Sequence, residues 1–323
     1  MTFFSNIDAI NHACRTLGLD ASSSRLLIET ARPTIWLRHS DPAPDVGLPV
    51  RTSKVGGEPD LPPELAWPVR PPLADCERYA QLLRDSIVLP EQEVFVDFAI
   101  DLLGKPFPMA FLAQVDLEAM AHEQGFDPAL PDRGMLWAFN DSFADWYGPQ
   151  SPHGGITLLW SDASGLRRHE TPALLREAWQ LGVSDFGTPM VEPWDADIEA
   201  EPLSPISGWT VNPRRDQAFY HRLADERFEF ADGGGDQLGG WEVPLQQDMH
   251  GDVEMIATGP GPDNDDQIAR ARERWRHVLT INAETYLSRL MPTWGDGAMY
   301  MFVDEKDLAE CRFDRAVGTS QMT

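Results

Sequence analysis

Cysteine is scarce in this chain, and the few cysteines present do not form a recognisable pattern. There are three of them, Cys14, Cys76 and Cys311, which lie far apart and form no CxxC pair. An odd and dispersed set is typical of neither a disulfide framework nor a zinc module. We therefore expect a reducing compartment and no metal site.

Long apolar runs are also missing. No stretch approaches the roughly 18 apolar residues that a membrane-spanning helix needs. The first residues contain neither a basic segment nor a long apolar segment of the kind found in secretory signals. These absences predict a cytoplasmic protein that does not bind membranes.

Motifs that would identify a reaction are absent as well. The sequence contains no HExxH, HxH or GxSxG pattern, and Lys54-Val55-Gly56-Gly57 does not fit the GxxxxGK[ST] phosphate loop. The acidic run 263–267 differs from a calcium loop because it has no glycine at the sixth position and no glutamate at the twelfth. We expect no catalytic residue, no cofactor and no metal, and the balance favours a protein that is not an enzyme.

Positively charged residues are also scarce relative to negatively charged ones. The chain has 26 Lys and Arg against 52 Asp and Glu, which gives a net charge of −26. Residues 191–270 hold 18 acidic and 5 basic residues, so this stretch alone carries −13. Such a field repels nucleic acid and attracts basic partners, although solubility alone also favours it.

What is present indicates a globular chain of short elements. Hydrophobic residues make up 42%, and the 27 prolines and 25 glycines predict many turns. Periodicity predicts helices over 3–17, 22–31, 75–88, 172–181 and 216–228, and strands over 34–37, 94–100, 110–117, 134–139 and 156–160. Irregular loops are predicted over 41–49, 53–62 and 190–213, the last being rich in proline and acid.

Two stretches share the same order of signals. Each has a Gly-Gly loop, then a strand ending in Asp116 or Asn282, then a strand of the form Gly-x-(Leu/Met)-aromatic-x-Phe. The corresponding segments are 55–57, 112–116 and 134–139 in the first stretch, and 238–240, 278–282 and 297–302 in the second. The shared Asp or Asn position suits a helix N-cap.

This repetition predicts an α+β fold. We expect internally duplicated strand and helix units that form one or two packed, mainly antiparallel sheets. The expected organisation is an N-terminal helical extension over 1–31 and a single domain over 32–323, with repeat halves at about 53–190 and 214–315.

Several of these motifs resemble those of the YwqG-like family, a bacterial family of unknown function. Residues 53–62, which read SKVGGEPDLP, resemble its opening signature, and 111–117 is similar to its F-LAQ-[IV]-D-L strand. Residues 238–241 and 294–302 resemble its later LGG-aromatic and WGD segments, whereas Thr280 and Asn282 stand where Gln and Asp are usual. The resemblance runs from about residue 32 to 315 and implies an internally duplicated fold without established enzymatic activity. It also implies a relation to members that look like immunity proteins of bacterial toxin systems.

Two hypotheses of function follow. The first is a non-enzymatic, acidic protein-binding protein, an immunity protein that neutralises a basic partner such as a cognate bacterial toxin. Its candidate contact residues are Asp195, Asp197, Glu199, Glu201, Asp263, Asp265 and Asp266.

The alternative is an enzyme or small-ligand-binding protein with a pocket between the two repeats. Its candidate residues are Lys54 as an anion contact, with Gln114, Asp116, Trp294 and Asp296. For Gln114 and Asp116 the sequence also offers structural roles, which we favour: pairing within the sheet and capping of the following helix.

Overall fold

The computed structural model describes residues 3–85, 93–141, 152–180, 199–212, 235–246, 248–259, 264–282 and 297–322. The helices within these ranges are α1 (Ile7–Thr16), α2 (Ala21–Glu29), α3 (Cys76–Asp85), α4 (Glu93–Leu103), α5 (Leu117–Met120), α6 (Ala173–Gln180), α7 (His250–Thr258), α8 (Asp265–Arg274) and α9 (Glu305–Ala309). The strands are β1 (Phe3–Phe4), β2 (Arg32–His39), β3 (Lys54–Gly56), β4 (Asp60–Leu61), β5 (Val69–Arg70), β6 (Phe107–Pro108), β7 (Ala110–Asp116), β8 (Met135–Asn140), β9 (Ile156–Ser161), β10 (Arg167–Arg168), β11 (Ala200–Thr210), β12 (Asp236–Leu238), β13 (Trp275–Asn282), β14 (Gly297–Asp304) and β15 (Val317–Met322).

An antiparallel sheet of 11 strands organises the molecule. Its path is β15-β14-β13-β12-β2-β11-β3-β7-β8-β9, and β1 pairs with β11 beside this path. The two ends of the path meet, because β15 contacts β9 and because Gly154 lies against the carbonyl of Gly318. The expectation of a mixed helix and strand fold with mainly antiparallel pairing is confirmed, and the sheet curls until it is nearly closed.

The two middle strands are exchanged between the two sides of the sheet. β2 precedes β3 in the chain but pairs with β12, whereas β11 precedes β12 but pairs with β3. β2 and β11 also pair with each other over eight positions, from Leu203 opposite His39 to Thr210 opposite Arg32. Each side of the sheet is therefore completed by a strand from the other part of the chain.

The strands on the two sides have matching registers. Lys54 lies opposite Gln114 across β3 and β7, and Gln237 lies opposite Thr280 across β12 and β13. The next pairing has a register shift at the corresponding place on each side, at residues 111–113 against β8 and at 277–279 against β14. The sets β3-β7-β8-β9 and β12-β13-β14-β15 thus agree in order, direction and register.

Strand β8 separates two parts of the core. Because alternate side chains of a strand point to opposite faces, Leu136 and Ala138 join the main cluster while Met135, Trp137 and Phe139 fill a smaller one. Burial on both faces explains why 134–139 reads as a continuous apolar run.

The first two helices have an apolar cluster of their own. Ile10, Cys14 and Leu27 are buried together with Phe4 of β1 and Val211, which follows β11. The helices predicted over 3–17 and 22–31 are therefore present as α1 and α2, and they pack beside the end of β11.

Most of the other predicted elements are also present. Helices α3 and α6 and strands β2, β7, β8 and β9 lie where the pattern predicts them, and the helix predicted over 216–228 lies outside the described residues. Among the helices of the described ranges, none combines the length and the apolar character that crossing a membrane requires.

Three predictions of local structure are wrong. Residues 94–100 belong to helix α4 rather than to a strand, because Phe98 and Leu102 lie one helical turn apart and both face the core. Residues 53–62 contain β3 and β4.

The third error concerns 190–213, predicted as a loop, in which 200–210 form the central strand β11. Its two prolines are tolerated because a proline keeps its carbonyl, and that of Pro202 accepts from the Ser40 N–H at 2.9 Å.

Candidate functional site

Lys54 is the first of the predicted ligand contacts, and its side chain is fully buried. Its Nζ donates to the carboxylate of Asp45 and to the carbonyl of Glu58, the latter at 2.6 Å. Burial lowers the pKa of Lys54, although the Asp45 carboxylate opposes this shift. The lysine is therefore held by its own chain and does not face a cleft.

Asp60 lies beside this pair and is also fully buried. Its carboxylate accepts from Arg168 Nε at 3.0 Å, from Gln114 Nε2 at 2.8 Å and from the backbone N–H of Arg51 at 3.0 Å. Gln114 in turn accepts from the Asp60 N–H at 2.8 Å, and Trp137 Nε1 donates to the Asp60 carbonyl at 3.0 Å. Pairing of β4 with β10 brings Asp60 opposite Arg168 and so builds this contact.

Asp116 ends β7 and caps helix α5, as the sequence predicts. Its carboxylate accepts from the N–H groups of Glu118 at 3.1 Å and Ala119 at 3.2 Å. The same carboxylate binds Arg51 through two bonds of 2.8 and 2.7 Å, and this hydrogen bonding raises the pKa of Arg51. Asp116 thus has a structural role on both counts.

We call these connected groups the Asp60 network: Asp45, Arg51, Lys54, Asp60, Gln114, Asp116 and Arg168. Its three cations and three carboxylates balance, and each has a partner within the network. Arg168 also donates to the carbonyls of Asp45 and Leu48, so the network fixes the loop 45–49. Such an arrangement holds the surrounding loops in place.

The second side of the sheet has a neutral counterpart. Gln237, at the position of Lys54, donates to the Trp241 carbonyl at 2.7 Å, just as Lys54 donates to that of Glu58. The Trp241 N–H donates to Thr210 Oγ1 at 2.7 Å, as the Glu58 N–H donates to Asp45. The Gly-Gly loops of both sides are therefore held in the same way.

A charged bridge spans three neighbouring strands at the centre of the sheet. His39 of β2 contacts Glu201 of β11 at 2.7 Å through Nδ1 and Asp236 of β12 at 2.9 Å through Nε2. Burial opposes the charged imidazole, yet the hydrogen bonds that it donates to Asp236 and Glu201 raise the pKa of His39 to about 10. An imidazolium thus bridges two buried carboxylates.

The structure distributes the predicted partner contacts widely. Glu199 and Asp266 are exposed, and Asp265 begins helix α8. Glu201 is buried against His39 and is therefore not part of an exposed acidic surface. Its segment was predicted as a loop but forms strand β11, which buries its side chain. Asp195, Asp197 and Asp263, together with the ligand candidates Trp294 and Asp296, lie outside the described residues.

Within the described ranges, no group of three or more His, Cys, Asp or Glu side chains is arranged to hold a metal ion. Sequence reasoning also missed Asp45, Asp60, Arg51 and Arg168, since no motif marks residues that meet only through the fold.

The comparison with known families gives one match. A family model described as a domain of unknown function, DUF1963, matches residues 53–321. No curated protein matches the chain. The matched range contains both Gly-Gly loops but begins after β2, the strand that pairs with β12.

Proposed function

The chain belongs to the DUF1963 family, whose function is unknown, and from that premise we propose that it is a non-enzymatic protein-binding protein of the YwqG-like type. Its partner is a basic protein. We further propose that it is a cytoplasmic immunity protein and that the partner is a cognate bacterial toxin.

The observation that carries this proposal is the contrast between paired groups inside the protein and exposed acidic groups on its surface. Lys54, Gln114 and Asp116, which a small-ligand site would use, are engaged in the Asp60 network. Glu199 and Asp266 are exposed, within a chain of net charge −26. Surface charge of one sign accelerates association with a partner of the opposite sign and makes binding sensitive to salt.

We also propose that the domain over 32–323 arose by duplication, with halves at about 53–190 and 214–315, and that 1–31 form a helical extension. The matching registers of β3-β7-β8-β9 and β12-β13-β14-β15 support the duplication. The equivalent bonds of Lys54 and Gln237 support it independently. The separate apolar cluster of α1 and α2 supports the extension.

The test is a quantitative capture experiment in the native host. Wild-type protein should retain one basic protein at low salt and release it at high salt, because screening weakens charge attraction. The partner is then purified, and its affinity is measured at several salt concentrations.

Two triple variants with the same change of net charge decide where the partner binds. Reversal of the acidic segment (Asp195→Lys, Asp197→Lys, Glu199→Lys) should abolish retention. Reversal of three exposed acids elsewhere (Glu29→Lys, Glu64→Lys, Asp132→Lys) should leave most of it. Equal behaviour of the two variants would contradict the proposal, since it would mean either no charge recognition or attraction without a defined site.

A further inference from the structure

Arg32 lies at the start of β2 and is stacked on an aromatic platform. Its guanidinium carbon is 3.4 Å from the ring centroid of Trp241. The indole is 8% exposed, and its Nε1 donates to the Thr30 carbonyl at 2.7 Å. The platform is therefore fixed, and it holds the guanidinium plane in one orientation.

This guanidinium has no hydrogen-bonding partner and no ion pair among the residues that the structure describes, although the side chain is partly buried. Its nitrogens are not among the buried side-chain atoms that lack a partner, and since they form no hydrogen bond to the described residues, solvent reaches them. Burial and then the neighbouring Arg276 lower the pKa of Arg32 to about 10. The stacked guanidinium is therefore fixed in place while its N–H donors remain accessible.

Arg276 of β13 is a second cation near Arg32, and its hydrogen bonding is also incomplete. Its Nη2 binds Asp127 at 2.9 and 3.0 Å, but its Nε is buried without a partner. Asp127 is already occupied, because it also accepts from the Gly240 N–H at 3.0 Å. An orphaned buried donor of this kind indicates an absent water or ion.

The carboxylates near Arg32 and Arg276 do not supply a hydrogen-bond partner for Arg32. Glu242 and Glu305 are close enough to act on the charge of Arg32, but neither forms a hydrogen bond with it. Glu242 instead approaches His250 Nδ1 at 3.7 Å. The donors of Arg32 therefore stay available to a ligand.

We propose that Arg32, with Arg276 beside it and Trp241 beneath it, is a binding site for an oxyanion, the phosphate or carboxylate group of a small ligand. A guanidinium presents a planar fork of N–H donors that matches two oxygens of either group. Arg276 comes from one side of the sheet, and its partner Asp127 comes from the segment that connects α5 and β8 on the other. The site therefore lies where the two sides meet, and it is independent of partner binding by the acidic segment.

Isothermal titration calorimetry of the full chain at low ionic strength tests this site, with inorganic phosphate and acetate as separate probes. Wild-type protein should bind at least one of them. The variant Arg32→Gln should weaken binding by about tenfold or more, because two charged hydrogen bonds are lost. Arg25→Gln is the matched control, since Arg25 is 76% exposed and pairs with Glu29 on the same helix.

The variant Arg32→Lys keeps the charge but loses the planar fork, so its affinity should lie between those of wild type and Arg32→Gln. It also decides the question if Arg32→Gln does not fold, as monitored by thermal unfolding. Binding of phosphate alone or of acetate alone identifies the ligand group. Absence of binding with both probes, or an unchanged affinity in the folded Arg32 variants, would overturn the site.

Discussion

Lys54 and Gln237 hold equivalent loops with different chemistry. Both donate to the carbonyl of the residue four positions later, Glu58 or Trp241. The lysine needs the carboxylate of Asp45 nearby, whereas the amide of Gln237 needs no counter-ion. Because Gln237 is neutral, this hydrogen bond holds the loop without charge. This agrees with the small net stabilisation that buried ion pairs provide.

At Gly57, an added methyl group would disturb the contact between Lys54 and Asp45. Its φ is +68°, and a Cβ would lie 2.1 Å from Asp45 Oδ2. We expect Gly57→Ala to lower the free energy of unfolding by about 3 kcal/mol or more, because the substitution strains the backbone and separates Asp45 from Lys54. Denaturant unfolding measures the change.

Gly18 provides the control for this prediction. Its φ is +69°, but nothing lies within 4 Å of an added Cβ. Gly18→Ala should therefore cost only the backbone term of about 1 kcal/mol. Equal losses for both variants would mean that the contact with Asp45 has no importance.

The His39 bridge gives stability a defined dependence on pH. The pKa of His39 is about 10 in the folded protein against 6.5 in the unfolded chain. The folded state therefore binds the proton more tightly, and the contribution is complete below about pH 6.5 and disappears as pH rises through 10. We expect His39→Gln to cost on the order of 3 kcal/mol at pH 6 and much less above pH 10.

The measurement is the difference in unfolding free energy between wild type and variant at several pH values. Taking the difference removes the titration of groups that do not interact with His39, and leaves that of His39 with its partners Glu201 and Asp236. His12→Gln, a change at an exposed histidine of α1, should show no such difference. A difference that stays constant from pH 6 to above pH 10 would show that the bridge is uncharged.

At the level of elements, the exchange of β2 and β11 makes the two sides of the sheet interdependent. We expect a chain of residues 53–323 to lose cooperative unfolding, because β11 and β12 each lose β2 as a neighbour. A chain of residues 31–323 keeps β2 and loses only β1, α1 and α2. It should unfold cooperatively with lower stability.

Circular dichroism and size-exclusion chromatography compare the two truncated chains. A peptide of residues 30–41 added to the shorter chain should restore part of its structure, since it supplies the missing strand. A cooperative, monomeric 53–323 chain would contradict the importance assigned to β2.

The elements that could be predicted from sequence are those whose local residue pattern alone indicates the structure that they form. Strands β7 and β8 are buried on both faces and read as apolar runs, and Asp116 is a recognisable cap. Strand β11 could not be predicted, because its prolines and acids indicate a loop and only pairing with β2 and β3 overrides them. Residues 94–100 were wrongly predicted as a strand from their alternation, because a short apolar run fits both the strand and the helix period.

For the whole molecule, charge is divided between the balanced Asp60 network and an acidic remainder. The Asp60 network pairs three cations with three carboxylates, so it contributes nothing to the net charge of −26. The excess must repel itself across the rest of the protein. We expect the thermal unfolding midpoint to rise by a few degrees between low and moderate NaCl, because salt screens this repulsion.

The triple variant Glu29→Lys, Glu64→Lys, Asp132→Lys is the control, and differential scanning calorimetry provides the midpoints. Its smaller net charge should make the rise smaller than in wild type. A midpoint that falls with salt would mean that the ion pairs of the network outweigh the repulsion.

Sequence reasoning identified only part of the candidate sites, because it could not identify which residues contact one another. Lys54, Gln114 and Asp116 were recognisable as polar residues in specific motifs, but their partners were not. Asp60 and Arg168 are 108 positions apart, and Arg32 and Trp241 are 209 positions apart. Contacts of this separation depend on the closure of the sheet, for which a single sequence carries no signal.

The exchanged strands also determine when the protein can be completed during synthesis. β2 leaves the ribosome early, but both of its neighbours, β11 and β12, come from beyond residue 199. At roughly 5–20 residues per second, the strand waits on the order of ten seconds with two open edges. The nascent chain therefore cannot fold one half at a time, and an early chaperone contact with 32–39 would protect the segment that needs it most.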